Sequence, residues 1–195
     1  MLKLDLQYNN VETLQNSCNI VGVDKLAFAM DKNDVSELKL EDAKSWIDEE
    51  TGEVTYSRGN LFGMQIYSRS NYLVFEFNPA ILLFGNNFHT VTYKGFVKII
   101  FDIEDKLGFS IQEATVNKIH IQSTLTVDKK PKTYFSILGN SLRHVRSLLK
   151  STLYYQTEGR KQYKTNLFYD KKTQSRKSYL NGEYLRFENQ YYNEF

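Results

Sequence analysis

Residues 114–128 read ATVNKIHIQSTLTVD, and their reading decides the fold. Val116, Ile119, Ile121, Leu125 and Val127 are apolar, and β-branched residues crowd the stretch. That pattern predicts a long, half-buried strand. Side chains alternate across a strand, so His120 and Gln122 fall on one face while Ile119 and Ile121 fall on the other.

Moving towards the N-terminus, YKGFVKIIFDIEDKLG (93–108) places Phe96, Ile99, Ile100, Ile103 and Leu107 at helical spacing, with Gly108 as the stop. The stripe reads as core. Before it, Asn78-Pro79 ends a strand and AILLFGNN predicts a short apolar helix or turn closed by Gly85. The segments LKLDLQY (2–8), VTYSRG (54–59), LFGMQIYSR (61–69) and NYLVFEFN (71–78) read as strands. The acidic stretch from Val35 to Val54 reads as a solvent-facing excursion ending in a TGE turn.

Towards the C-terminus, PKTYFSILGNSLRHVRSLLK (131–150) predicts a second helix, with Tyr134, Leu138, Leu142, Val145 and Leu149 as its apolar stripe. STLYYQTE and KTNLFYD read as a hairpin across EGRKQ, and EYLRFENQYY (183–192) as a last strand. The order of strands, helix, strand, helix and strands describes an α+β fold: a central antiparallel sheet with helices packed on one side. A chain of 195 residues suits one domain, 1–195, with a strand-rich part to residue 70 and the remainder, 71–195, carrying the chemistry.

Composition narrows the function. No apolar run approaches the roughly 18 residues of a membrane span, and MLKLDLQYNN lacks the apolar core of a signal peptide. One cysteine, Cys18, excludes an internal disulfide framework and fits a reducing cytoplasm. The net charge of +2 conceals an asymmetry. Residues 1–128 hold 11 Lys/Arg against 18 Asp/Glu, whereas residues 129–177 hold 13 against 2. Such a basic block is the usual footprint of a polyanion-binding face, although a solvated surface looks the same in sequence. Arg143, Arg146, Lys150, Arg160, Lys161, Lys164 and Lys172 are its candidate DNA-binding residues. The 14 tyrosines and 13 phenylalanines suit strands and also base stacking.

Chemistry has three candidate positions, on three expected strands. His120 and Gln122 offer two ligands for a divalent ion, although a lone strand histidine is commonly structural. Glu188 shares a face with Arg186, away from Phe187, and adds a carboxylate if its strand lies beside His120; an ordinary Arg/Glu surface strand reads the same way. Tyr169, followed by Asp170, Lys171 and Lys172, sets a phenol beside cations that favour phenolate and screen phosphate. A phenol of ordinary pKa near 10 needs a metal or a base to attack at neutral pH. There is no glycine-rich phosphate loop, zinc-type cysteine spacing or G-x-S-x-G. His89 and His144 read as structural or surface residues in a loop and a helix.

Four blocks in order, VFEFNPAILLFGNNF, VNKIHIQSTLTVD, LFYDK and YLRFENQYY, resemble the rolling-circle replication initiators of filamentous phages and related plasmids, the gene II-like replication proteins. The resemblance runs from about Tyr72 to the end. It implies the His-hydrophobic-His endonuclease fold and a tyrosine nickase dependent on Mg²⁺ or Mn²⁺. Such an enzyme cuts one strand of an origin, becomes linked to the 5′ phosphate and leaves a 3′-OH to prime synthesis. By position, Tyr169 is the nucleophile and Lys171 its phosphate-side partner, while His120, Gln122 and Glu188 hold the metal. His120 stands where the family has an acidic ligand, and Gln122 where the wider nickase class has a second histidine. Origin DNA in single-stranded or melted form is the implied partner. Host helicase and polymerase would act after it in a bacterial cytoplasm, with no membrane involved. Relatives continue beyond the position of Phe195, which implies either a fragment with a missing C-terminal region or a minimal initiator. The alternatives are a non-catalytic DNA-binding or regulatory module on the same scaffold, and a structural protein.

Overall fold

The structure is a computed structural model that describes residues 21–32, 38–69, 71–157, 164–176 and 181–193. The expected strand at residues 2–8, Cys18, and Arg160 and Lys161 in the turn after the first hairpin strand lie outside the described residues.

Among the described residues, ten strands and four short-to-medium helices follow one another. They are β1 (Val21–Asp31), β2 (Glu41–Ile47), β3 (Val54–Leu61), β4 (Met64–Arg69), β5 (Tyr72–Phe77), α1 (Pro79–Phe84), α2 (Tyr93–Leu107), β6 (Thr115–Val127), α3 (Pro131–Phe135), β7 (Val145–Leu149), β8 (Thr152–Gln156), β9 (Lys164–Asp170), α4 (Lys171–Ser175) and β10 (Glu183–Tyr192). The strands make one sheet in the order β2-β3-β4-β5-β1-β6-β10-β9-β8-β7, and every pairing is antiparallel. The α+β expectation with an antiparallel central sheet holds. Among the described residues no helix is long and apolar enough to cross a membrane.

Register divides the sheet into two faces. Phe77, Leu26, Ile119 and Tyr191 stand in one cross-strand row, and Phe187, Phe168 and Leu153 in another on the same side. That side carries both apolar cores. One joins Leu26, Phe28, Ile66 and Phe75 to Ile99, Ile103 and Leu107 of α2. The smaller one joins Leu153, Tyr155 and Leu185 to Phe135 of α3. Hence α1, α2 and α3 cover one side, as alternation requires of a sheet with one apolar face. The other face carries the residues of interest.

Helix boundaries follow their caps. Asn78 accepts the Ile81 N–H at 3.0 Å and begins α1 with Pro79 at its first turn, and Gly85 ends it at φ 68°. Thr92 caps α2 by accepting the Gly95 N–H at 3.2 Å, and Gly108 ends it at φ 74°.

Two expectations fail. The second helix over 131–150 is only the five-residue α3, followed by strand β7. Its apparent stripe packs only at its start: Tyr134 and Leu138 lie against the smaller core, whereas Leu142 is fully exposed and Leu149 is 61% exposed. The helix stops at Phe135, ahead of Gly139-Asn140, and Lys150 at φ 52° turns β7 back onto β8. His144 therefore lies not on a helix but in a bridge to Ser141, whose Oγ is 3.0 Å from Nδ1. The acidic excursion is solvent-facing as expected, yet it contains β2, every residue of which is exposed. Its turn is built by Asp48, whose carboxylate accepts the Glu50 and Thr51 N–H groups. Strand β1, with no place in the sequence reading, is the third departure and the one that matters most to the site.

Candidate metal and nucleophile site

On the face opposite the cores, three cross-strand rows converge. Lys25, His120, Gln190 and Thr165 form one row; Gly22, Gln122, Glu188 and Leu167 the next; Thr124, Arg186 and Tyr169 the third. Alternation on β6 does bring His120 and Gln122 to one side. The neighbouring strand is β10, so Glu188 stands directly across from Gln122.

A bulge completes the group. Val23 pairs with Ile121 and Lys25 with His120, so Asp24 is the extra residue between them. The bulge turns Asp24 onto the face that Lys25 also occupies, a re-aiming for which bulges are well suited. Asp24, His120 and Glu188 are all buried, and one potential ligand atom from each lies within 4.8 Å of the others. His120 Nδ1 is 2.9 Å from Glu188 Oε1. Two ligands of one octahedral ion at about 2.1 Å stand about 3 Å apart, so this spacing suits a shared ion as well as a hydrogen bond. His120 Nε2 is buried with no hydrogen-bond partner. A buried imidazole grouped with two carboxylates at this spacing is a donor set that fits a hard or borderline divalent cation.

The phenol joins this group. Tyr169 Oη donates to Glu188 Oε2 at 3.0 Å, and the Gln190 amide donates to Glu188 Oε1 at 2.8 Å. Burial works to raise the Glu188 carboxyl, but hydrogen bonds from His120 and Gln190 and the imidazole charge outweigh it and hold the pKa down at about 2. Burial first, and then the Glu188 charge, push the Tyr169 phenol well above its ordinary range. Asp24 is raised, chiefly by burial, against the opposing pull of Arg186.

Arg186 organises the rest. It is fully buried and donates to Asp24 Oδ1 at 3.0 Å, to Thr124 Oγ1 at 2.9 Å and to the Phe88 carbonyl at 3.0 Å. Gln122 donates to Thr90 Oγ1 at 2.7 Å and accepts from Thr124 at 3.2 Å. Together they hold the segment between α1 and α2 over β1. The approach is close: a Cβ on Gly22 would meet the Val91 carbonyl oxygen at 2.5 Å.

No protein-family model matches the sequence, and no curated protein matches it. Among solved structures, the rolling-circle replication initiator protein from Geobacillus stearothermophilus is similar at 13% identity and a TM-score of 0.48, over 90% of this chain and 75% of that one. At that level the likeness carries no functional weight.

Of the residues expected at a site, Tyr169, His120 and Glu188 come together and Gln122 lies beside them. Lys171 is fully buried, with Nζ 5.8 Å from the centre of the Tyr169 ring and 3.1 Å from Gln174 Oε1. The basic residues are more scattered. Arg143 and Lys150 are exposed around β7. Arg146 is turned inward, donating to the Leu138 and Phe135 carbonyls at 3.2 and 3.0 Å. Lys164 lies 5.3 Å from the Tyr191 ring centre, on the core side of the sheet by register. Lys172 lines a hollow of about 530 Å³ with Lys130, Lys132 and Arg176, faced by Asp170 and Glu183.

Asp24 and Arg186 are the site residues that sequence reasoning missed. A carboxylate inside VGVDKLAFAM, a run that is apolar apart from Asp24 and Lys25, is the available signal for the first. For the second there is none, because an arginine beside a glutamate on a terminal strand reads as surface.

Proposed function

We propose that this chain is a metal-dependent tyrosine nickase and strand transferase that opens one strand of an origin to begin rolling-circle replication. The carrying observation is the 3.0 Å hydrogen bond from Tyr169 to a carboxylate that also touches His120, inside a buried Asp24–His120–Glu188 group. A nucleophile, its acceptor and a candidate metal site share one small volume on a sheet face.

In this reading Asp24, His120 and Glu188 hold Mg²⁺ or Mn²⁺, which supplies positive charge to a phosphodiester and to a developing phenolate. Gln122 is assigned a positioning role through Thr90. Burial and the Glu188 charge push the phenol above its ordinary range, and a cation beside it would offset both. Glu188 orients the phenol and takes its proton. A Tyr169 O–P bond forms at the 5′ phosphate, and the P–O3′ bond breaks. The leaving 3′ oxygen gains a proton as the phenol loses one, so no net proton is consumed. Lys171, close to the ring, adds charge on the phosphate side. Origin DNA in single-stranded form is the partner, drawn in by the exposed cations Arg143 and Lys150 and by Lys172 at its hollow.

A second reading has its own support. Tyr169 is only 6% exposed and the Gln122 amide is occupied by Thr90 and Thr124, as in a DNA-binding module that no longer cuts. Incubation of labelled single-stranded origin DNA with Mn²⁺ separates the two. Nicking predicts a covalent adduct that Tyr169→Phe abolishes. An adduct that persists in that variant removes Tyr169 as nucleophile. DNA binding with no adduct in the wild type leaves the binding module.

A further inference from the structure

The side of the sheet that carries the site continues across β1 and β5 to the opposite edge. Trp46 pairs with Tyr56 and Tyr56 with Arg69; Lys44 pairs with Arg58 and Arg58 with Tyr67. Tyr67 pairs with Val74, whose side also bears Glu76, and Glu76 binds Lys25 and Lys118 on the strands of Asp24 and His120. By this register the whole group shares one face with His120.

The group is an interleaved array of rings and cations. Trp46 is 46% exposed and its ring centre lies 4.9 Å from that of Tyr56. Tyr56 and Tyr67 centres are 6.4 Å apart at 30°. The Arg58 guanidinium lies 5.7 Å from the Trp46 ring centre, and that of Arg69 5.9 Å from Tyr72. Lys44, Arg58 and Arg69 are exposed. The acids facing the same way are Glu41, Asp31 and Glu76, and Glu76 is engaged by Lys25 and Lys118. At the strand positions of this face Lys25, Lys44, Arg58, Arg69 and Lys118 outnumber these three acids, whereas the turn from β2 to β3 carries Asp48, Glu49, Glu50 and Glu53. A row of flat rings flanked by guanidinium groups on an open sheet matches the chemistry of unpaired bases on a sugar-phosphate backbone: rings stack bases and arginines hold phosphates.

We propose that β2, β3 and β4 form a stacking platform for single-stranded nucleic acid, continuous with the Tyr169 site. The platform lies outside the basic block of residues 129–177. The proposal rests on the nucleic-acid reading above for the identity of the polymer. From β6 to β2 is five strand spacings, about 24 Å. At about 3.4 Å per stacked nucleotide, a strand needs about seven nucleotides to reach from β6 to Trp46, and about ten from Tyr169, which lies two strands further on β9.

Trp46 is the single tryptophan of the chain, so its emission reports on this platform alone. The experiment titrates the full chain, in EDTA to prevent cleavage, with fluorescein-free oligothymidylates of 4 to 20 nucleotides. Anisotropy of labelled copies measures total binding. The platform predicts saturable quenching that grows with length through about seven to ten nucleotides, fades with salt, and is weaker for duplex of equal length. Tyr56→Ala and Arg58→Ala should each weaken binding of the 20-mer about tenfold, while the Mn²⁺-dependent adduct of Tyr169 with a short substrate persists. Binding by anisotropy without quenching overturns the platform and leaves the nickase reading standing. Absence of any oligonucleotide binding overturns both. Quenching that follows protein concentration instead, with a dimer in sedimentation, makes this wing a protein interface and overturns the proposal.

Discussion

Arg186 carries more of the site than any residue the sequence singled out. Its three donors bind Asp24, Thr124 and Phe88, so the guanidinium neutralises one carboxylate and anchors a loop together. Removing one partner of a buried pair leaves the other charge uncompensated, at a cost of about 3–5 kcal/mol. We expect Arg186→Met to lower unfolding stability by that order in urea titration, and a second change, Asp24→Asn, to recover part of the loss. Recovery distinguishes an unpaired charge from lost packing alone. His120 is the complementary case. Its Nε2 is buried with no hydrogen-bond partner, a desolvation cost that a ligand at this atom would offset.

At the scale of elements, β1 organises both faces. It pairs with β5 and β6, contributes Leu26 and Phe28 to the core, and through its bulge presents Asp24 on the far side. Gly22 permits the segment after α1 to lie against it. Gly22→Ala should displace Thr90 and Val91 at a cost of about 1–3 kcal/mol and weaken Mn²⁺ binding measured by calorimetry. An unchanged affinity would detach that segment from the site. Glu76 ties three strands, binding Lys25 of β1 at 2.8 Å and Lys118 of β6 at 2.5 Å from its place on β5. Burial opposes its ionisation, but hydrogen bonds from Lys118 and Lys25 win and hold its pKa below the ordinary 4.5. A carboxylate depressed in the folded state stabilises above its ordinary pKa, and that stability is lost as pH falls through the folded value. Glu76→Gln should therefore be less stable than wild type at pH 7, with the gap closing below about pH 4.5; denaturant midpoints from pH 3 to 7 measure it.

For the whole molecule, the decisive fact is that four strands distant in sequence lie side by side: β1, β6, β10 and β9. Asp24 and Arg186 are 162 residues apart in the chain and 3.0 Å apart in space. A ligand that binds only this assembled site stabilises the fold by mass action. Mn²⁺ at about 100 times its dissociation constant adds about 2.7 kcal/mol, which raises the melting temperature of a chain this size by about 5–10 °C. The shift should vanish in His120→Ala. A rise that survives this substitution would place the ion elsewhere.

Much was legible from sequence alone where local chemistry is strong. The period-two pattern of residues 114–128 determined a strand and the shared face of His120 and Gln122. Asn78-Pro79 with Gly85 marked α1, and the apolar stripe closed by Gly108 marked α2; the Thr92 cap was added by the structure. The false helix over 131–150 shows the limit of periodicity: Leu142 and Leu149 keep helical spacing yet face solvent, because Gly139 and the pairing of β7 with β8 override it. Tertiary structure alone decided which strands are neighbours and where a bulge falls. Alternation counted through VGVDK puts Asp24 and Lys25 on opposite faces, and one extra residue in the ladder brings both to the same one. That shift comes from pairing with β6, almost a hundred residues away by the register Lys25–His120, so no local signal records it. Asp24 needed the assembled sheet, whereas His120, Tyr169 and Glu188 were visible because each stands at a regular position on its own strand.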